Sequence, residues 1–315
     1  MRLTLTRRDL CKSALAAGSA LRLRAAETTR EPNGFKLGII TDELTGNLEE
    51  ALPFLSSYHL HWCELREMWG KNVMNLFPED LDRAKKLIAK HDLHVSDIAS
   101  PIFKWNLPKM PAHADEKRDS YKASFVEDDA NRLLEESFKL ARFFGTRQVR
   151  IFSYWRVDQP DKAYPLVRDR LAQAAQLAVK NDIVLVLENE HTCNIGTGRE
   201  MGPLLKEIAS PGLRGNWDPG NAAMLDEVPY PHGYQAVKGF FSHVHIKDVR
   251  KNAVTGKKEW APVGGGTIDW KGQMQALRND HYDGTMSLET HYLRADRDKV
   301  ESTRESLDGL LKIIG

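Results

Sequence analysis

Cysteine is scarce in this sequence, which has three cysteines among its 315 residues. Cys11 lies close to the N-terminus, while Cys63 and Cys193 stand alone, without a CxxC pair or another spacing typical of metal ligands. Small disulfide-stabilised domains and zinc sites built from cysteine both need grouped cysteines. The sequence therefore indicates neither a disulfide framework nor a cysteine metal site.

An excess of charge is also missing, because the formal net charge is +1. The basic residues are unevenly distributed, however, since the first 26 residues hold six of them and one acidic residue. Without that segment the chain holds 39 basic and 43 acidic residues, a net charge of −4. Binding to nucleic acid needs concentrated positive charge. We therefore predict no nucleic-acid partner.

The basic N-terminal segment, TRRDLCKSALAAGSALRLRAAE, has two adjacent arginines, a small-residue and apolar run, and an Ala-rich end. This pattern is typical of a twin-arginine export signal, and a short N-terminal helix is the alternative. The apolar run is too short to cross a bilayer as a helix, so we expect no stable membrane association after the signal is removed. We predict an export signal over residues 1–26, cleaved near Ala25 or Ala26, and a periplasmic or otherwise exported protein. Without such a signal the protein would be cytoplasmic.

The rest of the chain alternates short apolar or β-branched runs with amphipathic helical patterns, in eight successive pairs. The predicted strands cover residues 35–41, 61–67, 94–100, 147–153, 182–188, 213–218, 241–247 and 285–290. Eight βα units in roughly 280 residues are typical of a (β/α)8 barrel, so we predict a single TIM barrel over residues 27–315. A doubly wound open sheet is the alternative. Two long segments, 104–124 and 250–266, are expected at the C-terminal mouth of the barrel.

Polar and apolar side chains alternate in the stretch HVHIKD, residues 243–248, of the predicted seventh strand. Side chains of a strand point alternately to its two faces, and the outer face of a barrel strand packs against helices. We therefore expect Val244 and Ile246 to point outward. The side chains of His243, His245 and Lys247 are expected inside the barrel. His243 should lie one layer deeper than the other two.

Three of the predicted strands carry an acidic residue at the C-terminal end: Glu188 in LENEH, Asp218 in NWDPGN and Glu289 in SLETH. Carboxylates that meet at a barrel mouth repel one another strongly when they are buried, and a divalent cation removes that repulsion. Three carboxylates and the imidazole of His245 suit Mn²⁺, Mg²⁺, Co²⁺ or Zn²⁺. The alternative is that each acid separately caps a strand end or forms an ion pair.

The ordered set LENEH, NWDPGN, HVHIKD with VGGGTIDW, and SLETH resembles the xylose-isomerase-like barrels of the sugar phosphate isomerase and epimerase family, over nearly the whole chain after the signal. The resemblance implies one divalent metal ion held by Glu188, Asp218, His245 and Glu289. It also implies that the metal polarises a sugar carbonyl, that a carboxylate removes the adjacent proton, and that a cis-enediolate forms. Glu188 and Glu289 would be the acid/base pair, and Lys247 would donate to a substrate oxygen or, alternatively, lie solvated at the rim.

Four further polar residues are predicted to contact the substrate: Glu64, His191, Asn221 and His243. Glu64 shares the inward face of the second strand with Arg66, so an ion pair between these two is its alternative role. Some ketose epimerases of the family carry a histidine where this chain has Asn221. That departure concerns the substrate and leaves the metal site intact.

Three other functions match parts of this pattern. AP endonucleases on the same barrel hold a three-zinc cluster with additional histidines that this sequence does not supply. A lyase or hydratase acting on 3-keto-glycosides would begin with the same proton abstraction and suits an exported protein, because phosphosugars are scarce outside the cytoplasm. A non-catalytic sugar-binding barrel would not need two acid/base carboxylates. We predict a metal-dependent sugar isomerase or epimerase with a small-molecule sugar or glycoside substrate, and leave open whether it is a homo-oligomer.

Overall fold

The computed structural model describes residues 34–113 and 119–315. Eight parallel strands close into a barrel in which strands adjacent in sequence pair with each other, and the last strand pairs with the first. The strands are β1 Lys36–Ile40, β2 Trp62–Leu65, β3 His94–Ile98, β4 Gln148–Ile151, β5 Val184–Glu188, β6 Leu213–Trp217, β7 Phe241–Ile246 and β8 Thr285–Leu288. The predicted barrel and its eight strands are confirmed, and the open-sheet alternative is wrong because β8 pairs with β1. The predicted export signal over residues 1–26 lies outside the described residues.

A helix follows each strand of the barrel. The main helices are α1 Leu48–Ser57, α2 Pro78–Lys90, α3 Ala130–Phe144, α4 Pro160–Lys180, α5 Gly198–Ile208, α6 Pro219–Met224, α7 Trp270–Asn279 and α8 Lys299–Ile314, and a one-turn helix over Thr41–Leu44 lies between β1 and α1. Because α6 is short, a kinked turn over Pro229–Gly233 and a short helix over Tyr234–Val237 complete that unit. Gly202 lets this short helix approach α5, since a Cβ at Gly202 would lie 2.0 Å from Ala236 O. Within the described ranges no helix is long and apolar enough to cross a membrane.

Local sequence signals set the ends of several helices. Pro78 starts α2 at a position where the missing N–H costs nothing. Gly145 ends α3 with φ of 78°, a left-handed conformation that favours glycine. Asp218 starts α6 by accepting a hydrogen bond from the N–H of Asn221 at 2.8 Å. This hydrogen bond holds the Asp218 side chain at the end of β6, at the mouth of the barrel.

The main hydrophobic core lies between the barrel and its helices. Val244 and Ile246 belong to the same apolar cluster as Met274 and Leu277 of α7, and full burial of one such side chain contributes about 1.5–3 kcal/mol. The opposite face of β7 is also buried, but inside the barrel. The side chains on that inner face are His243, His245 and Lys247, as predicted.

Two hairpins extend from the C-terminal mouth. They pair Glu67–Met68 with Lys71–Asn72 and Asp248–Lys251 with Lys258–Ala261. The segment 250–266, expected as a loop, therefore contains most of a hairpin. Its strands lack an alternating apolar pattern, since the adjacent Arg250 and Lys251 are both exposed. This hairpin carries Trp260 back to the mouth, where its ring centroid lies 5.2 Å from Lys247 Nζ.

Candidate metal centre

Four side chains meet at the C-terminal mouth, each from a different strand. Glu188 is the last residue of β5, and His245 is the next-to-last residue of β7. Asp218 and Glu289 directly follow β6 and β8. All four side chains are fully buried, and one ligand atom from each lies within 4.8 Å of the other three. The fold thus brings together the four residues predicted to hold a metal.

The two nitrogens of the His245 ring face different partners. Nδ1 lies 3.2 Å from Glu289 Oε2, 3.6 Å from Glu188 Oε1 and 3.8 Å from Asp218 Oδ2. Nε2 lies 3.1 Å from Glu64 Oε1. When Nε2 carries the proton and donates a hydrogen bond to Glu64, Nδ1 directs a lone pair towards the three carboxylates. This is the arrangement in which a carboxylate orients a metal-binding histidine.

The pKa shifts at this centre report a surplus of negative charge. Burial opposes protonation of His245, but the carboxylates of Glu64, Glu188 and Glu289 raise its pKa well above the usual value. Burial raises the pKa of Asp218 to about 6 against the attraction of Lys247, and repulsion from Glu188 and Glu289 adds to the rise. A divalent cation bound among these groups would neutralise that surplus.

Unsatisfied polar atoms give independent support for a cation. Buried polar atoms normally have hydrogen-bond partners, yet three at this centre have none among the described residues: Glu188 Oε2, Asp218 Oδ2 and His245 Nδ1. Asp218 Oδ2 lies 2.8 Å from Lys247 Nζ and Glu188 Oε2 lies 3.3 Å from Arg150 Nη1, but neither ion pair has the geometry of a hydrogen bond. Carboxylate oxygens and an imidazole nitrogen suit Mg²⁺, Mn²⁺, Co²⁺ or Zn²⁺. The residues present therefore fit a divalent ion.

Lys247 lies inside the cluster and not at the solvated rim, so the rim alternative is wrong. Its side chain is fully buried, with Nζ 2.5 Å from Glu289 Oε2 and 2.8 Å from Asp218 Oδ2. Gly220 makes room for it, because a Cβ at Gly220 would lie 2.4 Å from Lys247 Cγ. The ammonium group is therefore held beside two of the four proposed ligands.

Two buried arginines support the carboxylates, and sequence reasoning did not assign them to the site. Arg150 on β4 places Nη1 3.3 Å from Glu188 Oε2. Arg66 places Nη1 2.7 Å from Glu289 Oε1, while its Nη2 contacts Asp42 at 2.8 Å. Arg150 stands between two outward-pointing apolar residues of β4, and this alternation is the sequence signal that could have placed it inside the barrel. Burial opposes ionisation of Glu289, but Lys247 and other cations bring its pKa well below the usual value.

Glu64 and His243 lie one layer deeper than the four proposed ligands. Glu64 Oε2 is 3.0 Å from His243 Nε2, and His243 Nδ1 is 2.6 Å from Thr285 Oγ1. Glu64 thus contacts His243 and His245, and the alternative ion pair with Arg66 does not form. Direct contact of Glu64 or His243 with a substrate stays a prediction.

Asn221 and His191 lie on the outer side of Glu188. Asn221 Nδ2 donates to Glu188 Oε1 at 3.1 Å, and Asn221 Oδ1 lies 2.9 Å from His191 Nδ1. The His191 ring is half-buried and meets Trp260 edge-on, with 5.9 Å between ring centroids. Among the predicted substrate contacts, only His191 is partly exposed, whereas Asn221, Glu64 and His243 are fully buried.

Tyr121, from the long segment after β3, covers the inner arginines. Its ring centroid lies 5.0 Å from Arg66 Cζ and 5.1 Å from Arg150 Cζ. The Tyr121 hydroxyl accepts a hydrogen bond from Lys104 Nζ at 2.5 Å, and the same ammonium lies 3.5 Å from Glu190 Oε2. The sequence predicted this segment at the mouth, but a loop without periodicity gave no signal for individual residues.

Comparison with known proteins gives a family and a set of similar folds. The family model for the xylose isomerase-like TIM barrel matches residues 55–313. The comparison with curated proteins finds no match. A xylose isomerase-like TIM barrel protein from Mycobacterium smegmatis in complex with magnesium is 17% identical, with a TM-score of 0.60 over 85% of this chain and 89% of that chain.

Two further solved structures are of proteins whose names state a reaction. The 3-keto-D-glucoside 4-epimerase from E. coli is 17% identical, with a TM-score of 0.63 over 88% of this chain and 99% of that chain. The probable 3-DHS dehydratase involved in petrobactin synthesis from Bacillus anthracis is 19% identical, with a TM-score of 0.65 over 85% of this chain and 97% of that chain. At these identities the similarity shows the fold alone.

Proposed function

The chain belongs to the xylose isomerase-like TIM-barrel family, and we propose that it is a divalent-metal-dependent sugar isomerase or epimerase. The proposal rests above all on the buried cluster of three carboxylates and one imidazole, with ligand atoms within 4.8 Å of one another. The unsatisfied Glu188, Asp218 and His245 atoms support a cation within that cluster. The solved magnesium complex of a protein with the same fold supports the same interpretation.

Four residues would hold the ion: Glu188, Asp218, His245 and Glu289. When bound, the cation polarises a substrate carbonyl and acidifies the neighbouring C–H group. Every proposed ligand is fully buried, so the reacting centre is shielded from bulk water. Shielding strengthens the electrostatic interactions of the centre and protects a reactive enediolate from side reactions.

Glu188 and Glu289 are the proposed acid/base pair. Burial opposes ionisation of both groups, but nearby cations lower the pKa of Glu188, chiefly His245 and Arg150, and that of Glu289, chiefly Lys247. Both groups therefore rest as carboxylates, the form needed to accept a proton. They come from β5 and β8, so they approach the centre from separate strands. One removes the proton next to the carbonyl, and return of a proton to the opposite face or to the adjacent carbon gives an epimer or an isomer.

Lys247 is the proposed donor to a substrate oxygen. Its ammonium already contacts Glu289 and Asp218, so it lies at the reacting centre without moving far. A buried ammonium beside the developing enediolate oxygen stabilises negative charge on that oxygen. Asn221 and His191 are the proposed contacts to sugar hydroxyls on the outer side.

A lyase or hydratase acting on 3-keto-glycosides is the second candidate. It shares the first proton abstraction, and it suits the predicted export signal because unphosphorylated sugars and glycosides predominate outside the cytoplasm. The solved structures of a 3-keto-D-glucoside 4-epimerase and of a probable dehydratase with this fold support keeping this candidate. A non-catalytic sugar-binding barrel is disfavoured because it would not need two buried carboxylates, Glu188 and Glu289, whose pKa values are lowered by nearby cations.

Proton NMR in D₂O separates these functions. The protein lacking residues 1–26 is loaded with Mg²⁺ or Zn²⁺ and incubated with free ketoses and with 3-keto-glycosides. Deuterium entering beside the carbonyl of an intact ketose supports the isomerase or epimerase. Release of the aglycone without exchange in free ketoses reassigns the protein as a lyase. Saturable sugar binding without exchange or aglycone release would leave only the binding barrel.

A further inference from the structure

A cavity of about 740 Å³ is lined by residues of the segments that follow β3 and β4. We propose that this cavity is a second subsite, which holds an aromatic or similarly flat apolar aglycone while the sugar lies at the metal centre. The proposal rests on the proposed function and narrows its substrate class from sugars in general to glycosides. The residues of its wall that carry the argument are Lys104, Trp105, Leu107, Met110, Phe125 and Trp155.

The chemistry of the cavity differs from that of the metal centre. Its wall is rich in aromatic and aliphatic side chains, whereas the metal centre is almost entirely charged. Against the apolar part of the wall the hydroxyl groups of a free monosaccharide would lack partners, which costs free energy, whereas polar residues such as Asn106, Glu127 and Asp128 line the rest of the cavity. An apolar ring gains contacts there, and about 300–1,000 Å³ is the usual size of a small-molecule pocket. A substrate that fills both regions therefore has one polar and one apolar part.

The aromatic wall is already fixed in place. Trp105 donates a hydrogen bond from Nε1 to Glu127 Oε2 at 3.1 Å. Its ring packs edge-on against Phe103 and Tyr154, with centroid distances of 5.7 Å and 6.4 Å. Little side-chain entropy is lost when a ligand contacts a ring that is held in this way. The wall thus has the rigidity expected of a binding surface.

Lys104 connects the cavity with the metal centre. It lines the cavity, and its Nζ contacts Tyr121 Oη and Glu190 Oε2. The Tyr121 ring in turn packs on Arg66 and Arg150, which contact the proposed ligands. Lys104 and Tyr121, followed by Arg66 and Arg150, therefore lie between the inner end of the cavity and the proposed ligands.

The ammonium group of Lys104 is well placed for the oxygen that joins a sugar to its aglycone. The group is almost fully buried, with ring centroids of Tyr121 and Phe152 at 3.9 Å and 4.5 Å from Nζ. Among the described residues, two hydrogen bonds are made by its three N–H groups. The third is left to donate to a bridging oxygen at the boundary between the two regions.

Saturation-transfer NMR with the Mg²⁺-loaded protein tests the subsite without depending on turnover. The probes are phenyl β-D-glucoside, cellobiose and D-glucose. We expect saturation of the phenyl protons and an affinity for the phenyl glucoside about tenfold above that for glucose, as burial of an apolar ring predicts. Equal affinities for the phenyl glucoside and glucose overturn the subsite. Tighter binding of cellobiose than of the phenyl glucoside overturns the apolar aglycone.

Two tryptophan substitutions in the same loop provide a matched pair. Ser120 is exposed and lines the cavity, so Ser120→Trp should reduce the affinity for the phenyl glucoside to that for glucose. Ser124 is exposed and is not among the residues that line the cavity, so Ser124→Trp should leave both affinities unchanged. Thermal unfolding of both variants checks that the fold is kept. Undiminished phenyl glucoside binding by Ser120→Trp overturns the proposal.

Deuterium exchange with 3-keto-D-glucose and its phenyl glycoside separates failure of the subsite from failure of the proposed function. Exchange in both compounds, together with equal binding of the phenyl glucoside and glucose, leaves the function standing and overturns the subsite. Cavity-dependent phenyl glucoside binding without exchange in any keto sugar supports the subsite and rejects the proposed reaction.

Discussion

The last four strands of the barrel end in the four proposed metal ligands, whereas the first four strands supply the groups that hold those ligands. The ligand half, β5 to β8, contributes three acids and one histidine. The support half, β1 to β4, contributes most of their charged partners, among which are Glu64 behind His245, Arg150 beside Glu188 and Arg66 beside Glu289. Lys247 is the exception, since it supports Glu289 from the ligand half itself.

This division has an electrostatic reason. Three buried carboxylates repel one another, and the repulsion must be offset even before a metal binds. Arg150 and Arg66 provide that offset from the far side of the barrel, where they do not compete for the oxygen atoms facing His245. Lys247 contacts those atoms directly. We therefore expect changes in the ligand half to affect chemistry, changes in the support half to affect stability and metal affinity, and Lys247 to affect both.

The largest expected effect is that of Glu289→Gln. Exchange of the carbonyl-adjacent proton should fall by about 10²–10⁴-fold, because the amide cannot accept a proton. The fold and some metal binding should be kept. The measurement is deuterium incorporation by NMR. Glu43→Gln is the matched control, since Glu43 also contacts Arg66 but does not contact His245 in the described contacts. Full exchange in Glu289→Gln would remove Glu289 from the acid/base role.

Arg150→Met should mainly affect stability. Removing a buried cation leaves Glu188 without its arginine, and breaking a buried pair typically costs about 3–5 kcal/mol. Urea unfolding of the metal-free protein should show this loss in the free energy of unfolding, with partial recovery when Mg²⁺ is added. The control is Arg147→Met, which breaks an exposed pair with Asp182 and should cost about 1 kcal/mol or less. Equal costs for the two variants would contradict the support role of Arg150.

Glu64→Gln tests whether the deeper layer orients His245. The loss of the carboxylate behind a metal-binding histidine typically lowers metal affinity by about 10–100-fold, and titration calorimetry with Mn²⁺ measures it. Glu67→Gln serves as the control, because Glu67 pairs with Lys122 away from the ligands. Asn216 Nδ2 also lies 3.0 Å from His245 Nε2, so unchanged affinity in Glu64→Gln would mean that Asn216 and packing alone hold His245 in place.

Lys247→Met should give the smallest change in metal affinity. The change should be an increase, in contrast to the decrease expected for Glu64→Gln. The ammonium lies 2.5 Å from Glu289 Oε2 and 2.8 Å from Asp218 Oδ2, so it competes with a cation for both oxygens. Its removal should raise Mn²⁺ affinity about tenfold, as expected from loss of one partly screened like charge, while proton exchange falls. Lys251→Met, an exposed change in the same segment, should alter neither. Weaker metal binding in Lys247→Met would contradict this competition.

The two halves also differ in how far the sequence predicts them. The period-two pattern of HVHIKD predicts which face His245 and Val244 occupy, and chain order places the acids of the ligand half at strand ends. No such pattern pairs Arg66 with Glu289, which lies 223 residues away and reaches it only because the barrel closes. The positions of Lys104 and Tyr121 could not be predicted for another reason. Their segment has no helical or strand periodicity, and its path depends on the finished fold.

The most direct test of metal-dependent proton abstraction is proton exchange by one preparation of the protein in three states. The protein is stripped with a chelator, assayed in D₂O with a keto sugar that it turns over, and then reloaded with increasing Mn²⁺ or Mg²⁺. Metal-dependent proton abstraction predicts that exchange stops on stripping and returns in proportion to bound metal, reaching a plateau at one ion per chain. Exchange that persists in the stripped protein, or a bound ion that restores none, would contradict it.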